Sequence, residues 1–119
     1  MRIVIGGQVE KGEIEKLVKE YSNGEVTTQV KPDLEAAMML KNGQADYYLG
    51  ACHTGGGGAL AMAIALLGKN KCATVSMPGK PPVQVKVHDA VEQGAIAFGF
   101  TGDHKEKAVE LILAELLKR

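Results

Sequence analysis

Apolar positions along the chain switch between short β-branched runs and stripes of helical period. RIVIG, Arg2 to Gly6, is a short apolar run that ends in glycine, the pattern of a buried strand. In EKGEIEKLVKEYS, Glu10 to Ser22, the residues Ile14, Leu17, Val18 and Tyr21 share one helical face, and Asn23-Gly24 ends the helix. EVTTQV, Glu25 to Val30, predicts a second strand. Pro32 and Asp33 then open DLEAAMMLKNG, where Leu34, Ala37, Met38 and Leu40 predict an apolar stripe and Gly43 a stop. Three further strands are predicted: ADYYLGA (Ala45 to Ala51), KCATVSM (Lys71 to Met77) and AIAFGF (Ala95 to Phe100). Gln84 to Gln93 reads as a modest helix. Asp103 to Lys118 reads as a final one, with Ala108, Val109, Ile112, Leu113 and Leu116 facing inward.

Strictly alternating strands and helices imply a parallel sheet covered on both faces. The expected fold is therefore α/β: a three-layer, Rossmann- or flavodoxin-like domain spanning residues 1–119, with five parallel strands in the order 2-1-3-4-5. Ligands of such sheets bind beyond the carboxyl ends of the strands, where the strand order reverses. Here that point lies between strands one and three. The loops that meet there are GGQ, Gly6 to Gln8, and GACHTGGGG, Gly50 to Gly58.

The helix after the glycines, ALAMAIALLG (Ala59 to Gly68), is apolar all round, with no charge before Lys69. A helix exposed to water on one side shows a polar face. This one is either sandwiched under other elements or covered by another subunit, and a homodimer is the expected assembly.

Charge narrows the partners. Fourteen basic and fourteen acidic residues give a formal net charge of zero. Such a chain has no broad field to attract nucleic acid or an anionic membrane. No apolar run is long enough for a bilayer span or a signal peptide, so a cytoplasmic location is expected. Two cysteines fit a reducing compartment. Cys52 and Cys72 are expected at opposite ends of neighbouring strands, roughly 15 Å apart, too far for a disulfide.

A strand, a glycine-rich loop and a helix together make an anion site. The first helical N–H groups lack partners, the helix dipole adds positive potential, and glycine lets the backbone come close to a ligand. The loop is not a Walker motif, because no Gly-Lys-Ser/Thr follows, and no dinucleotide fingerprint follows the first strand. The candidate binding residues are Gly7 and Gln8 from the first loop, Cys52, His53, Thr54, Gly55, Gly56, Gly57 and Gly58 from the second, and Ser76 from the end of the fourth strand. Lys80 is placed to add a charge. Cys52, next to these donors, is either a thiolate nucleophile or base, or a small buried hydrophobe. Thr54 either binds ligand or caps the following helix. His104 reaches the same sheet edge beside Asp103, read as a helix cap, and His88 reads as a surface residue. A zinc site from Cys52, His53 and His104 lacks metal-motif spacing, so neither metal nor cofactor is expected.

The stretch EAAMMLKNGQADYYLGACHTGGGGALAMAIALLGKNKCATVSMPG closely resembles the YhfU-like family of uncharacterised bacterial proteins, with DYYLGACHTGGGGAL its most specific part. A more distant resemblance is to ribose-5-phosphate isomerase B and galactose-6-phosphate isomerase subunits. These carry a helix ending in NGxAD, a strand, and CGTGxG opening a helix. NGQAD (Asn42 to Asp46) and CHTGGG (Cys52 to Gly57) stand in those places here. That resemblance implies an aldose–ketose type of isomerisation with Cys52 as base, and with Thr54 and Gly55 to Gly57 stabilising an enediolate. The chain departs from it after the first strand, where Gln8 and Val9 replace an Asp-His pair, and at Glu92-Gln93, which faces a histidine. Its only C-terminal arginine is Arg119. The residues thus suggest binding of a small anionic or phosphorylated metabolite. The alternatives are the isomerase and a non-catalytic structural or regulatory subunit of a metabolic enzyme assembly.

Overall fold

A computed structural model of the chain describes residues 1–53 and 56–118. The elements run β1 (Arg2–Gly7), α1 (Lys11–Tyr21), β2 (Thr27–Val30), α2 (Asp33–Lys41), β3 (Tyr47–Cys52), α3 (Gly56–Leu67), β4 (Cys72–Thr74), α4 (Gln84–Glu92), β5 (Ala97–Thr101) and α5 (Lys105–Leu116). One-turn 3-10 segments at Lys69–Lys71 and Gly102–His104 lead into β4 and α5. The five strands form one sheet, and each pairing is parallel. This is the three-layer α/β architecture that the alternating pattern predicts.

The strand order is β2-β1-β3-β5-β4, not 2-1-3-4-5. Strand length and burial explain the exchange. β5 buries all five of its residues, including Phe98 and Phe100, so it needs a neighbour on each side. It pairs with β3 along its whole length, Tyr48↔Ala97 to Cys52↔Thr101. β4 has three residues, half-buried or exposed, and can serve only as an edge. Cys52 and Cys72 therefore do not lie on neighbouring strands, because β5 stands between theirs, and no disulfide joins them.

The connections share one hand. α1 and α4, whose crossovers step toward the β2 edge, bury Ile14, Val18, Val87 and Val91 in one core with α5. α2 and α3, whose crossovers step the other way, bury Ala36, Ala37, Leu40, Leu60 and Ala63 against the opposite face. Crossovers of opposite direction on opposite faces have the same handedness, as right-handed βαβ units require. Strands one and three stay adjacent, so the reversal of strand order still falls between them.

α2 turns only part of its expected apolar stripe inward. Leu34 and Met38 are 52% and 47% exposed, whereas Ala36, Ala37 and Leu40 are buried. Small residues let the helix come close to the sheet: the position a Cβ would take at Gly6 lies 2.8 Å from Ala36 Cβ. On the same face, Ala61, Met62 and Ala65 of α3 are exposed.

Among the described residues, no helix is long and apolar enough to cross a membrane.

Candidate functional site

Parallel pairing brings the carboxyl ends of β1, β3 and β5 into one line. Gly6, Gly50 and Gly99 are register partners across the three strands, and two residues further Cys52 stands beside Thr101. Side chains alternate between faces along a strand. Tyr48, Gly50, Cys52 and Thr101 thus share the face covered by α2 and α3.

The glycines on this face make room for a tyrosine. A Cβ at Gly6 would lie 2.6 Å from Tyr48 Cε2, and one at Gly50 would lie 2.9 Å from the Tyr48 hydroxyl and 3.0 Å from Cε1. The Tyr48 ring therefore lies across both glycines and is fully buried. Its hydroxyl meets Asp33 Oδ1, at the start of α2, and the backbone oxygen of Ala59, in the first turn of α3, at 2.7 Å. The same carboxylate accepts the Gly7 N–H at 3.3 Å. One phenol so ties together the ends of β1 and β3 and the starts of α2 and α3. Burial, followed by the hydrogen bond to Asp33, holds this phenol far above its ordinary range, and it stays protonated in neutral solution.

The β1–α1 loop is fixed over the end of β3. Gly7 has φ +78°, and a Cβ there would lie 2.6 Å from the Ala51 nitrogen and 2.8 Å from its oxygen. Only glycine accepts both the angle and the approach. The N–H groups of Gln8 and Val9 both donate to the Ala51 oxygen, at 2.8 and 3.2 Å. Glu10 precedes α1 with φ 62°, a conformation unusual for a residue other than glycine. Its carboxylate pairs with Lys105 at 3.3 Å, and its Cγ lies 3.1 Å from where a Cβ at Gly102 would sit. The loop after β1 and the turn after β5 therefore touch.

Of the residues singled out from the sequence, the fold gathers Gly7, Gln8, Cys52 and Gly58. A Cβ at Gly58, in the first turn of α3, would lie 3.4 Å from Cys52 Sγ and 3.5 and 3.6 Å from the two polar atoms of the Gln8 carboxamide. Gln8 and His53 are exposed, and Cys52 is fully buried. Gly56 and Gly57 open α3, whose first turn carries no acidic residue. Thr54 and Gly55 lie outside the described residues. Ser76 sits further along the edge, buried, where its Oγ accepts the Thr101 N–H at 3.0 Å. Lys80 is exposed in a tight turn, its N–H bonded to the Met77 oxygen.

Three participants were not legible as such. Tyr48 read as a strand residue and Asp33 as a helix opener, yet together they brace the edge. Thr101 falls one residue beyond the predicted fifth strand, and its hydroxyl lies 2.6 Å from His104 Nδ1. Asp103 does not cap α5, whose N-cap residue is His104, without a side-chain cap bond. His88 is half-exposed, as a surface reading expects, but its Nδ1 lies 2.7 Å from the buried carboxylate of Glu115. Among the described residues, no group of three or more His, Cys, Asp or Glu side chains could hold a metal ion.

Comparison with known proteins gives a consistent kinship. The family model described as "Protein of unknown function DUF2620" matches residues 1–116. The chain is 36% identical over 108 residues to the "Uncharacterized protein YhfU" of Escherichia coli K12, covering 91% of this chain and 92% of the relative. The protein of the same name from Shigella flexneri matches with the same identity and coverage. No solved structure matches significantly.

Proposed function

We propose a small-anion-binding function for this chain, which belongs to the DUF2620 family. The ligand sits at the carboxyl edge of the sheet, between the ends of β1 and β3, and is a small anionic or phosphorylated metabolite. The observation that carries this reading is the convergence at Gly58. The Gln8 carboxamide and the Cys52 side chain lie at contact distance around the position of the missing Cβ, in the first turn of a helix with no acidic residue there. A helix start offers unpaired N–H groups and positive potential. Gln8 adds an exposed amide donor, and the absent side chain leaves room for an anion to approach.

Binding is favoured over catalysis by a Cys52 thiolate. The thiol is fully buried, whereas a thiol that abstracts a proton from substrate must be accessible. Cys52 then serves as the small apolar floor of the site.

Thermal unfolding with inorganic phosphate, glycerol 3-phosphate and small carboxylates tests the reading. A bound anion raises Tm by an amount that grows with the logarithm of its concentration over Kd once that ratio exceeds one. The rise is expected to survive Cys52→Ser and to shrink in Gln8→Ala. Stabilisation that is lost in Cys52→Ser but indifferent to Gln8→Ala would place the chemistry at the thiol instead.

A further inference from the structure

The two helical layers of the molecule differ in charge. Counting Asp, Glu, Lys and Arg, α1 holds six charged residues, α4 three and α5 five. α2 and α3, which pack against each other on the other face of the sheet, hold three between them: Asp33, Glu35 and Lys41. Asp33 is turned toward Tyr48 and Gly7, and α3 contributes none. A helical layer that faces water carries a polar outer side, as the first layer does.

What the second layer shows outward is apolar. Leu34 and Met38 lie one helical turn apart on α2 and are 52% and 47% exposed. On α3, Ala61, Met62 and Ala65 are exposed, while Ala59, Leu60 and Ala63 are buried. The large apolar residues exposed on the charged layer, such as Tyr21 and Val85, stand beside Glu20 and Lys86 in the chain. Single exposed side chains are ordinary, whereas a charge-free group of five on two adjoining helices marks a contact surface.

We propose that a second copy of the chain covers this face, in a two-fold dimer that packs α2 and α3 against the same helices of the partner. Area and symmetry select that occupant. The Cα positions extend 30 × 29 × 27 Å, so one face of this nearly cubic shape carries about one sixth of the 5966 Å² of accessible surface, roughly 1000 Å², and a specific interface takes about 800 Å² from each partner. A two-fold contact sets a patch against its own copy. Charges would then meet like charges, and this layer turns few outward. Met38 and Met62 have side chains that adapt to what faces them, and alanine at 61 and 65 lets two α3 helices come close. The dimer is independent of the anion reading.

Two measurements on the full chain test this. Sedimentation equilibrium at about 100 μM is expected to give twice the 12.6 kDa chain mass, since interfaces of this size hold at micromolar concentration or below. Met62→Glu enters the interface from both copies and is expected to raise the dimer Kd at least about 100-fold, tenfold per copy, while Val85→Glu on α4 leaves it unchanged. A monomeric wild type, or a dimer indifferent to Met62→Glu, overturns the proposal. Methionine oxidation by dilute hydrogen peroxide, read by mass spectrometry, locates the interface without any substitution. Met77, in the turn after β4 and 48% exposed, is the internal reference. In concentrated protein Met38 and Met62 are expected to oxidise several-fold more slowly than Met77, and dilution below the Kd is expected to remove the difference. Equal rates for all three in concentrated protein, or protection of Met77 instead, refute the assignment of this face.

Discussion

Replacing Gly6 with alanine tests whether the glycines under Tyr48 are a packing requirement. The new methyl group would lie 2.6 Å from Tyr48 Cε2, 2.8 Å from Ala36 Cβ and 3.0 Å from Tyr48 Cζ. Carbon atoms at their best separation are about 3.5–4.0 Å apart, so the neighbours must retreat by about 1 Å. Tyr48 has little freedom to do so. It is fully buried, and its hydroxyl is held by Asp33 and the Ala59 oxygen. Overpacking of this kind costs about 1–3 kcal/mol. Weakening the phenol's hydrogen bonds adds about 1 kcal/mol. Alanine recovers about 0.5–1 kcal/mol of glycine's extra chain entropy. The expected net loss is about 1.5–3 kcal/mol, read from urea unfolding followed by circular dichroism. A double-mutant cycle isolates the cause. In a Tyr48→Ala background, two of the three close contacts are gone, and the same substitution should cost less than about 1 kcal/mol. An equal cost in both backgrounds, or no loss in the wild type, would refute the claim that Tyr48 demands glycine at this position.

Three further outcomes are expected. Gly7→Ala should destabilise by about 2–4 kcal/mol, since it adds left-handed strain to a clash with the Ala51 backbone, which cannot swing aside; a change in urea midpoint within error would contradict this. Gly58→Ala meets only ordinary contacts and replaces a helical glycine, so Tm should hold or rise by a few degrees while phosphate affinity falls at least about tenfold; unchanged affinity would move the ligand away from this turn. Glu115 is held below the ordinary glutamate range by His88 first and then Lys118. A carboxylate whose folded pKa is depressed stabilises the fold above its unfolded value, and that stabilisation is lost as pH falls through the folded value. The wild type should therefore lose stability on acidification below the ordinary glutamate range. Glu115→Gln should be less stable at neutral pH and show a shallower acid slope, and parallel pH profiles for the two proteins would count against the link.

How far the site could be read from the chain depended on whether its residues announce themselves locally. Glycine runs, the strand-to-helix change after Cys52 and the Gly7-Gln8 loop are local signals, and of their residues Gly7, Gln8, Cys52 and Gly58 meet at the switch point. Asp33, Tyr48 and Thr101 gave no such signal. Their roles arise from partners 11 to 26 residues away, as in Tyr48 with Ala59 and Gly7 with Asp33, or from a strand that extends one residue further than its apolar run. The buried stripe of α2 was misread for a related reason. Helical periodicity weighs larger apolar residues as core, but here close approach to Gly6 selects alanine and leaves Leu34 and Met38 outside.

The alternation of strand and helix patterns by itself determined the layers, the parallel sheet and the position of its switch point, because side-chain periodicity and right-handed crossovers act on consecutive elements. The place of β5 inside β4 was decided only in three dimensions. Both exchanged orders satisfy the same local patterns, and the choice rests on which strand can be covered on both faces and paired on both edges. The five fully buried residues of β5 meet that condition, and the three residues of β4 do not. That choice also sets Thr101 beside Cys52 and Ser76 beside Thr101, and so decides which polar side chains stand along the edge where the glycine loop ends.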